Sequence, residues 1–194
     1  ALARICVAGG LAASLAAPLQ AAVLDEIVVT AQKREQDIQD VGISISAFTG
    51  EQMATLGIQA SSEIAAFVPG VHTSGALAGQ NTQFTIRGVT QADFNDIVEA
   101  PNAVYLDEGY IAVAQAQTFA LFDIERVEIL KGPQGTLFGR NATGGLVQYL
   151  SRKPTFDAVE GYADVTYGQF DANSDPNSLR FEGAIGGPLS DRVA

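Results

Sequence analysis

The 194 residues contain a single cysteine and a single histidine. One cysteine cannot form an intrachain disulfide, so no disulfide framework staples this chain. Cys6 and His72 together are too few ligands for a Cys/His metal centre. Basic residues are half as numerous as acidic ones, 11 against 22, and they form no run. That excludes a surface built to neutralise nucleic-acid phosphates, and the net charge of −11 reads as solubility. No apolar run reaches the roughly 20 residues of a membrane-spanning helix. Phosphate-loop spacing is missing too. In GPQGTLFGRNATGG (132–145), Lys131 precedes the glycines, whereas a phosphate loop needs Gly-Lys-Ser/Thr after four intervening residues. There is no G-x-G-x-x-G and no nucleophile elbow. Asn141-Ala142-Thr143 matches a glycosylation acceptor, but so short a match arises by chance. No enzyme reading has positive support, and no cofactor is expected.

The chain does not open on methionine, so it is expected to begin inside a longer gene product. Residues 1–22 have the layout of a secretory signal peptide: Arg4, an apolar run over 5–17, Pro18, then small Ala21 and Ala22. Cleavage is expected after Ala21 or Ala22. The alternative is an alanine-rich helix of a soluble domain, which Gly9-Gly10 and Pro18 disfavour. Cys6 follows Ile5, not a small residue, so lipid attachment is not expected.

Residues 24–31 (LDEIVVTA) form a β-branched, extended segment. The neighbouring stretch 32–40 is polar and charged, and offers it no evident strand to pair with. Two readings stand level: an N-terminal edge strand, or a peptide that adds to another protein's sheet. Residues 41–48 alternate as a strand, with Val41, Ile43, Ile45 and Ala47 on one face. Thr49 and Gln52 have capping-box spacing for a helix that carries Met53 and Leu56 and ends at Gly57. A second short helix starts at Ser61 or Ser62 and points Ile64, Phe67 and Val68 at the core. His72 lies on a short strand, 71–73, and reads as structural. Residues 74–82 are expected as a polar loop, 83–89 as a strand containing Arg87, and 90–102 as a long polar segment. Strands over 103–106 and 110–113 flank a turn at Asp107-Glu108-Gly109.

The densest signals lie in 122–154. A strand over 124–130, in which Arg126 breaks the alternation, is stopped by Gly132-Pro133. A glycine-punctuated segment and a second strand over 146–150 follow. The carboxylates Asp123, Glu125 and Glu128 need only be solvated or paired. Beyond Pro154 the pattern changes to two strands of about ten residues, 161–170 and 179–187. Each has one apolar and one polar face, the repeating unit of a transmembrane β-barrel. A soluble hairpin would give the same pattern, but a lone hairpin cannot cover its edges and apolar face.

Taken in order, these segments resemble a TonB-dependent outer-membrane receptor. Residues 24–31 look like a TonB box. Residues 41–58 and 61–71 look like the plug's early strand and helices, FTIRGV (84–89) like its IRG strand, and NAVYLDEG (102–109) like its VYxDG segment. IERVEILKGPQGTLFGRNATGG (124–145), with the strand to Lys153-Pro154, resembles the plug's most recognisable part. Lys131 departs from the usual arginine, and LVQYLSRKP from the usual AINIITKKP. The resemblance implies an α+β fold: a plug domain of small mixed β-sheet with short helices, followed by the first two antiparallel strands of a truncated transmembrane β-barrel. The implied boundaries are 1–22 signal peptide, 23–40 TonB box and linker, 41–154 plug and 155–194 start of the barrel.

The implied function is active transport across the outer membrane of a Gram-negative bacterium, with the box facing the periplasm. TonB, with its inner-membrane energy-transducing complex, would pair with Asp25, Glu26, Ile27, Val28, Val29 and Thr30. Arg87 and Lys131 would face glutamates of the barrel wall, although a lysine cannot make an arginine's bidentate fork. By position, Ser74, Gln80, Asn81, Gln91, Asp93, Phe94 and Asn95 would face the ligand. The implied partners are TonB, outer-membrane lipid and a metal chelate or other small ligand, with no nucleic acid. A short approach to the box leaves no room for a signalling domain or a glycan-importer extension, which favours ferric chelates. Cobalamin, haem, another chelate or a carbohydrate stays open, as does a secreted ligand-binding module without transport.

Overall fold

The computed structural model describes residues 27–76, 81–91, 93, 95, 98–169 and 178–190. The expected signal peptide, together with Asp25, Glu26, Gln80 and Phe94, lies outside the described residues.

At the centre is a five-stranded mixed sheet in the order β3-β8-β9-β6-β7. Its members are β3 (Ser44–Thr49), β6 (Asn102–Leu106), β7 (Gly109–Tyr110), β8 (Ile124–Lys131) and β9 (Gly145–Ser151). The pair β6–β9 is parallel; β3–β8, β8–β9 and β6–β7 are antiparallel. Arg126 breaks the alternation of β8 because the β8–β9 register shifts between Ile124 and Arg126, with Glu125 as the extra residue. This β-bulge puts Ile124 on the same face as Val127 and Ile129. The turn from β6 to β7 uses Asp107 and Glu108, both at positive φ (47° and 67°), as a tight two-residue hairpin needs.

Alternation divides the sheet into two buried faces. The first carries Val104, Val127, Ile129, Val147 and Tyr149 and packs on helical elements and a hairpin. Helix α1 (Gly50–Thr55) begins with the expected capping box: Gln52 N–H donates to Thr49 Oγ1 and Thr49 N–H donates to Gln52 Oε1. It ends at Gly57, whose φ of 71° is a left-handed stop. The second helix is a 3₁₀ turn, Ser61–Phe67. Three residues per turn set Ser61–Ile64 and Ala65–Val68 in adjoining inward rows. Phe67, expected in the core, is 41% exposed at the end of its row.

Of the loop expected over 74–82, residues 74–76 and 81–82 are strand. β4 (Val71–Ala76) and β5 (Asn81–Ile86) form an antiparallel hairpin with Ser74 opposite Gln83. Its strands are polar, yet Asn81, Thr82 and Gln83 are buried; composition hid the first two. Strand β5 stops before Arg87, which lies in a turn at φ 51° and not in a strand. The expected strand over 110–113 is reduced to the two residues of β7, and a 3₁₀ turn, Ala114–Gln117, follows.

Ser61 joins these layers. Its carbonyl accepts from Tyr149 Oη (2.9 Å), and its hydroxyl donates to the Gln117 carbonyl (2.6 Å). Tyr149 is fully buried edge-on to Phe119, 4.9 Å between ring centroids, and burial pushes its phenol well above the usual range. Tyr149→Phe keeps the packing but removes the hydrogen bond to the Ser61 carbonyl. It is expected to cost about 0.5–1.5 kcal/mol, read as a lower thermal midpoint of the plug transition.

Beyond the sheet, β10 (Glu160–Gly168) and β11 (Ser178–Gly186) pair antiparallel in unbroken register. Their apolar face is uncovered: Val165, Tyr167, Leu179, Phe181 and Ile185 are 61–82% exposed. Their polar face turns toward the sheet domain.

Candidate functional site

The second face of the sheet carries Ala103, Leu130 and Leu146, and the N-terminal segment covers it. Strand β1 (Val28–Val29) pairs with β2 (Gln36–Asp37), Val28 opposite Asp37 and Val29 opposite Gln36. The segment therefore does have a local partner, contrary to expectation. The pairing uses main-chain groups, so the polarity of Gln36 and Asp37 is no obstacle. Ile38 N–H extends the ladder by donating to the Ile27 carbonyl at 3.0 Å.

Within this segment the side chains divide. Val28 is 42% exposed, whereas Val29 is 0% and Ala31 1% exposed, packed in one cluster with Leu130, Phe138, Ala142 and Leu146. Thr30 meets Glu128, an acid expected only to be solvated or paired and found paired with Arg126. Glu128 Oε1 accepts from Thr30 N–H (2.8 Å), Thr30 Oγ1 (3.2 Å) and Arg126 Nε (2.9 Å). Glu128 is completely buried and its Oε2 has no hydrogen-bond partner, as is also true of Oε1 of Gln148, which sits opposite it in the β8–β9 register. Arg126 also pairs with Glu125. The available signal was the i, i+2, i+4 row Arg126, Glu128, Leu130, which sets an acid on a face that ends in leucine.

The turn after β1 is held from below. Lys33, at φ 56°, places its ammonium 5.6 Å from the centre of the Phe138 ring. Phe138 ends the one-turn helix α2 (Gly135–Phe138), and its carbonyl accepts from Tyr105 Oη at 2.6 Å. Burial and then neighbouring Tyr110 raise the Tyr105 phenol above its ordinary range.

Arg87 and Lys131 both lie near the C-terminal end of β8. Arg87 Nη1 lies 3.4 Å from where a Cβ on Gly132 would stand. Lys131 Nζ donates to Ser46 Oγ at 3.1 Å. No ion pair engages either cation among the described residues. Of the residues expected to face ligand, Ser74 and Asn81 are in the β4–β5 hairpin, Asn81 buried. Gln91, Asp93 and Asn95 follow one another through side-chain-to-backbone bonds: Asp93 N–H to Gln91 Oε1 and Asn95 N–H to Asp93 Oδ1. Among the described residues no group of three or more His, Cys, Asp or Glu is placed to hold a metal ion.

The polar face of β10–β11 joins the sheet domain through charge. Arg180 Nη2 bonds Glu182 (2.6 Å) and reaches the Leu121 carbonyl (3.4 Å). Tyr162 Oη donates to Glu182 at 2.9 Å, and Arg152 stacks over the Tyr162 ring at 5.2 Å while lying 3.9 Å from Asp123.

Comparison with known proteins agrees with this geometry. Residues 37–146 match the family model of the TonB-dependent Receptor Plug Domain. The chain is 27% identical to the pesticin receptor of Yersinia pestis over 186 residues, 94% of this chain and 26% of that protein. It is 30% identical to the iron-regulated outer membrane virulence protein of Vibrio cholerae over 182 residues, 88% of this chain and 26% of that one. It is 29% identical to the vitamin B12 transporter BtuB of Photobacterium profundum over 144 residues, 74% of this chain and 23% of the transporter. Among solved structures, the ferric yersiniabactin uptake receptor of Yersinia pestis superposes with a TM-score of 0.63 at 24% identity, over 77% of this chain and 22% of the receptor. The pyoverdine outer membrane receptor of Pseudomonas aeruginosa gives 0.65 at 20% identity, over 86% and 23%. At that identity the likeness is one of fold. The chain spans about a quarter of the length of these relatives.

Proposed function

The chain belongs to the TonB-dependent receptor plug family, and on that premise we propose that it gates a transmembrane barrel and couples ligand binding to TonB. Its relatives are transport receptors rather than enzymes, and it is an outer-membrane protein of a Gram-negative bacterium. Residues 23–40 are the TonB box and linker, 41–154 the plug, and 155–194 the first barrel strands. Lipid then meets the exposed apolar face of β10–β11, and the polar face meets the plug. Arg87 and Lys131 meet acidic side chains of the barrel wall.

One observation carries the reading. The box has only a two-residue ladder, and that lies outside the five-stranded sheet, so its withdrawal breaks no strand pairing of that sheet. An extended segment freed in this way offers its main-chain donors and acceptors to another sheet. Ile27, Val28, Val29 and Thr30 are the TonB-pairing residues in the described part, preceded by Asp25 and Glu26. Energy delivered by TonB as mechanical work then rearranges the plug.

A relative named for iron regulation favours an iron chelate as cargo; one named for vitamin B12 keeps cobalamin as the second reading. A host deleted for its own chelate receptors and carrying this receptor should grow on ferric siderophores under iron limitation. That growth should vanish when TonB is removed. Growth on cobalamin alone would move the assignment to the second reading.

A further inference from the structure

We propose that Glu128 is a positioning residue for the TonB box, a latch that keeps residues 27–31 on the second face of the plug sheet until the box is withdrawn. The inference rests on the reading of 24–31 as that box.

Four observations support it. Glu128 Oε1 gathers three donors, and two of them, the N–H and hydroxyl of Thr30, belong to the box. The third, Arg126 Nε, comes from the plug and holds the carboxylate from the other side. Val29 and Ala31 flank Thr30 and fill the apolar part of the same face, so box and latch engage together. Finally, the docked arrangement is incompletely satisfied. Glu128 Oε2 and Gln148 Oε1 are buried side by side on the sheet without partners.

That last point sets the direction of the switch. A buried acceptor left without a donor disfavours the closed state, and water reaching the uncovered face would satisfy both oxygens. Docking therefore holds through charged hydrogen bonds and apolar contact, against a standing desolvation cost. Such a contact is closed at rest but yields to a pull, with the plug's other face undisturbed.

The test measures how fast a buried thiol is alkylated in the purified, ligand-free receptor without TonB, in a background free of other cysteines. Ala31→Cys reports the box, and Ala65→Cys reports the first face of the sheet. Adding Glu128→Ala should speed alkylation at position 31 by roughly tenfold or more, from the loss of charged hydrogen bonds, and leave position 65 unchanged. Equal acceleration at both positions would mean that Glu128 only holds the plug together, and would overturn the proposal. No acceleration at position 31 would overturn it as well. Because TonB is absent, a negative result leaves the box assignment to be judged by uptake, and a failure of uptake-based tests leaves the latch result standing.

Discussion

A receptor carrying Val28→Pro should bind its ligand almost as the parent does and import none of it. Val28 is the exposed residue of the docked box, and its ladder is two residues long, so a change there costs the plug little. Transport asks more of it. Strand addition to TonB requires main-chain donors in register, and proline removes one and fixes φ. Retained binding with abolished uptake is therefore the signature of a lost coupling strand. Equilibrium binding and uptake of the same labelled chelate measure the two halves separately. Uptake at the parental rate would remove the assignment of residues 25–30 to TonB.

Gly145→Ala should have the opposite signature, loss of folded plug before any question of coupling arises. Gly145 opens β9 at a φ of 151°, where an L side chain is strained. A Cβ there would collide with the Leu130 carbonyl and stand 3.0 Å from Ile86 Cδ1. A carbonyl of the neighbouring strand cannot swing aside as a flexible side chain can. The expected cost is about 3 kcal/mol or more, enough to unfold a marginal domain. Protease protection of the plug in the membrane-inserted receptor measures it. A fully protected variant would show that the glycine-rich turn tolerates side chains and that its close approach to β8 is dispensable.

The sequence was most legible where structure is local. The Thr49/Gln52 capping box, the Gly57 stop and the Asp107-Glu108 turn depend on residues a few positions apart, and each is found as expected. It was least legible where burial comes from distant chain. Asn81 and Thr82 looked like loop because they are polar, yet the β4–β5 pairing and surrounding elements bury them. The broken count at Arg126 was visible, but only the register with β9 reveals a bulge. The largest gap was at Glu128. A strand acid normally faces water, and what covers this one is Thr30, 98 residues away. Likewise the box read as solitary because its partner strand, Gln36–Asp37, has no apolar pattern to announce it. The ordered motifs carried the family resemblance in spite of these gaps.

The docked box also sharpens the mechanism. An N-terminal strand that simply hung free would bind TonB with or without ligand. Here Val29 and Ala31 are buried against the sheet and Thr30 is bonded to Glu128, so on the proposed reading access to TonB has a closed state to be released from. Binding signals at the far side of the plug can act only by shifting that equilibrium.

The most direct measurement is disulfide cross-linking between single cysteines placed at positions 27–30 of the receptor and cysteines along an edge strand of TonB, with and without bound ligand. The account predicts position-specific cross-links with strand periodicity that rise when ligand is bound and are lost in Val28→Pro. A receptor whose uptake still depends on TonB, but which forms no cross-links at any of these positions under either condition, would contradict it.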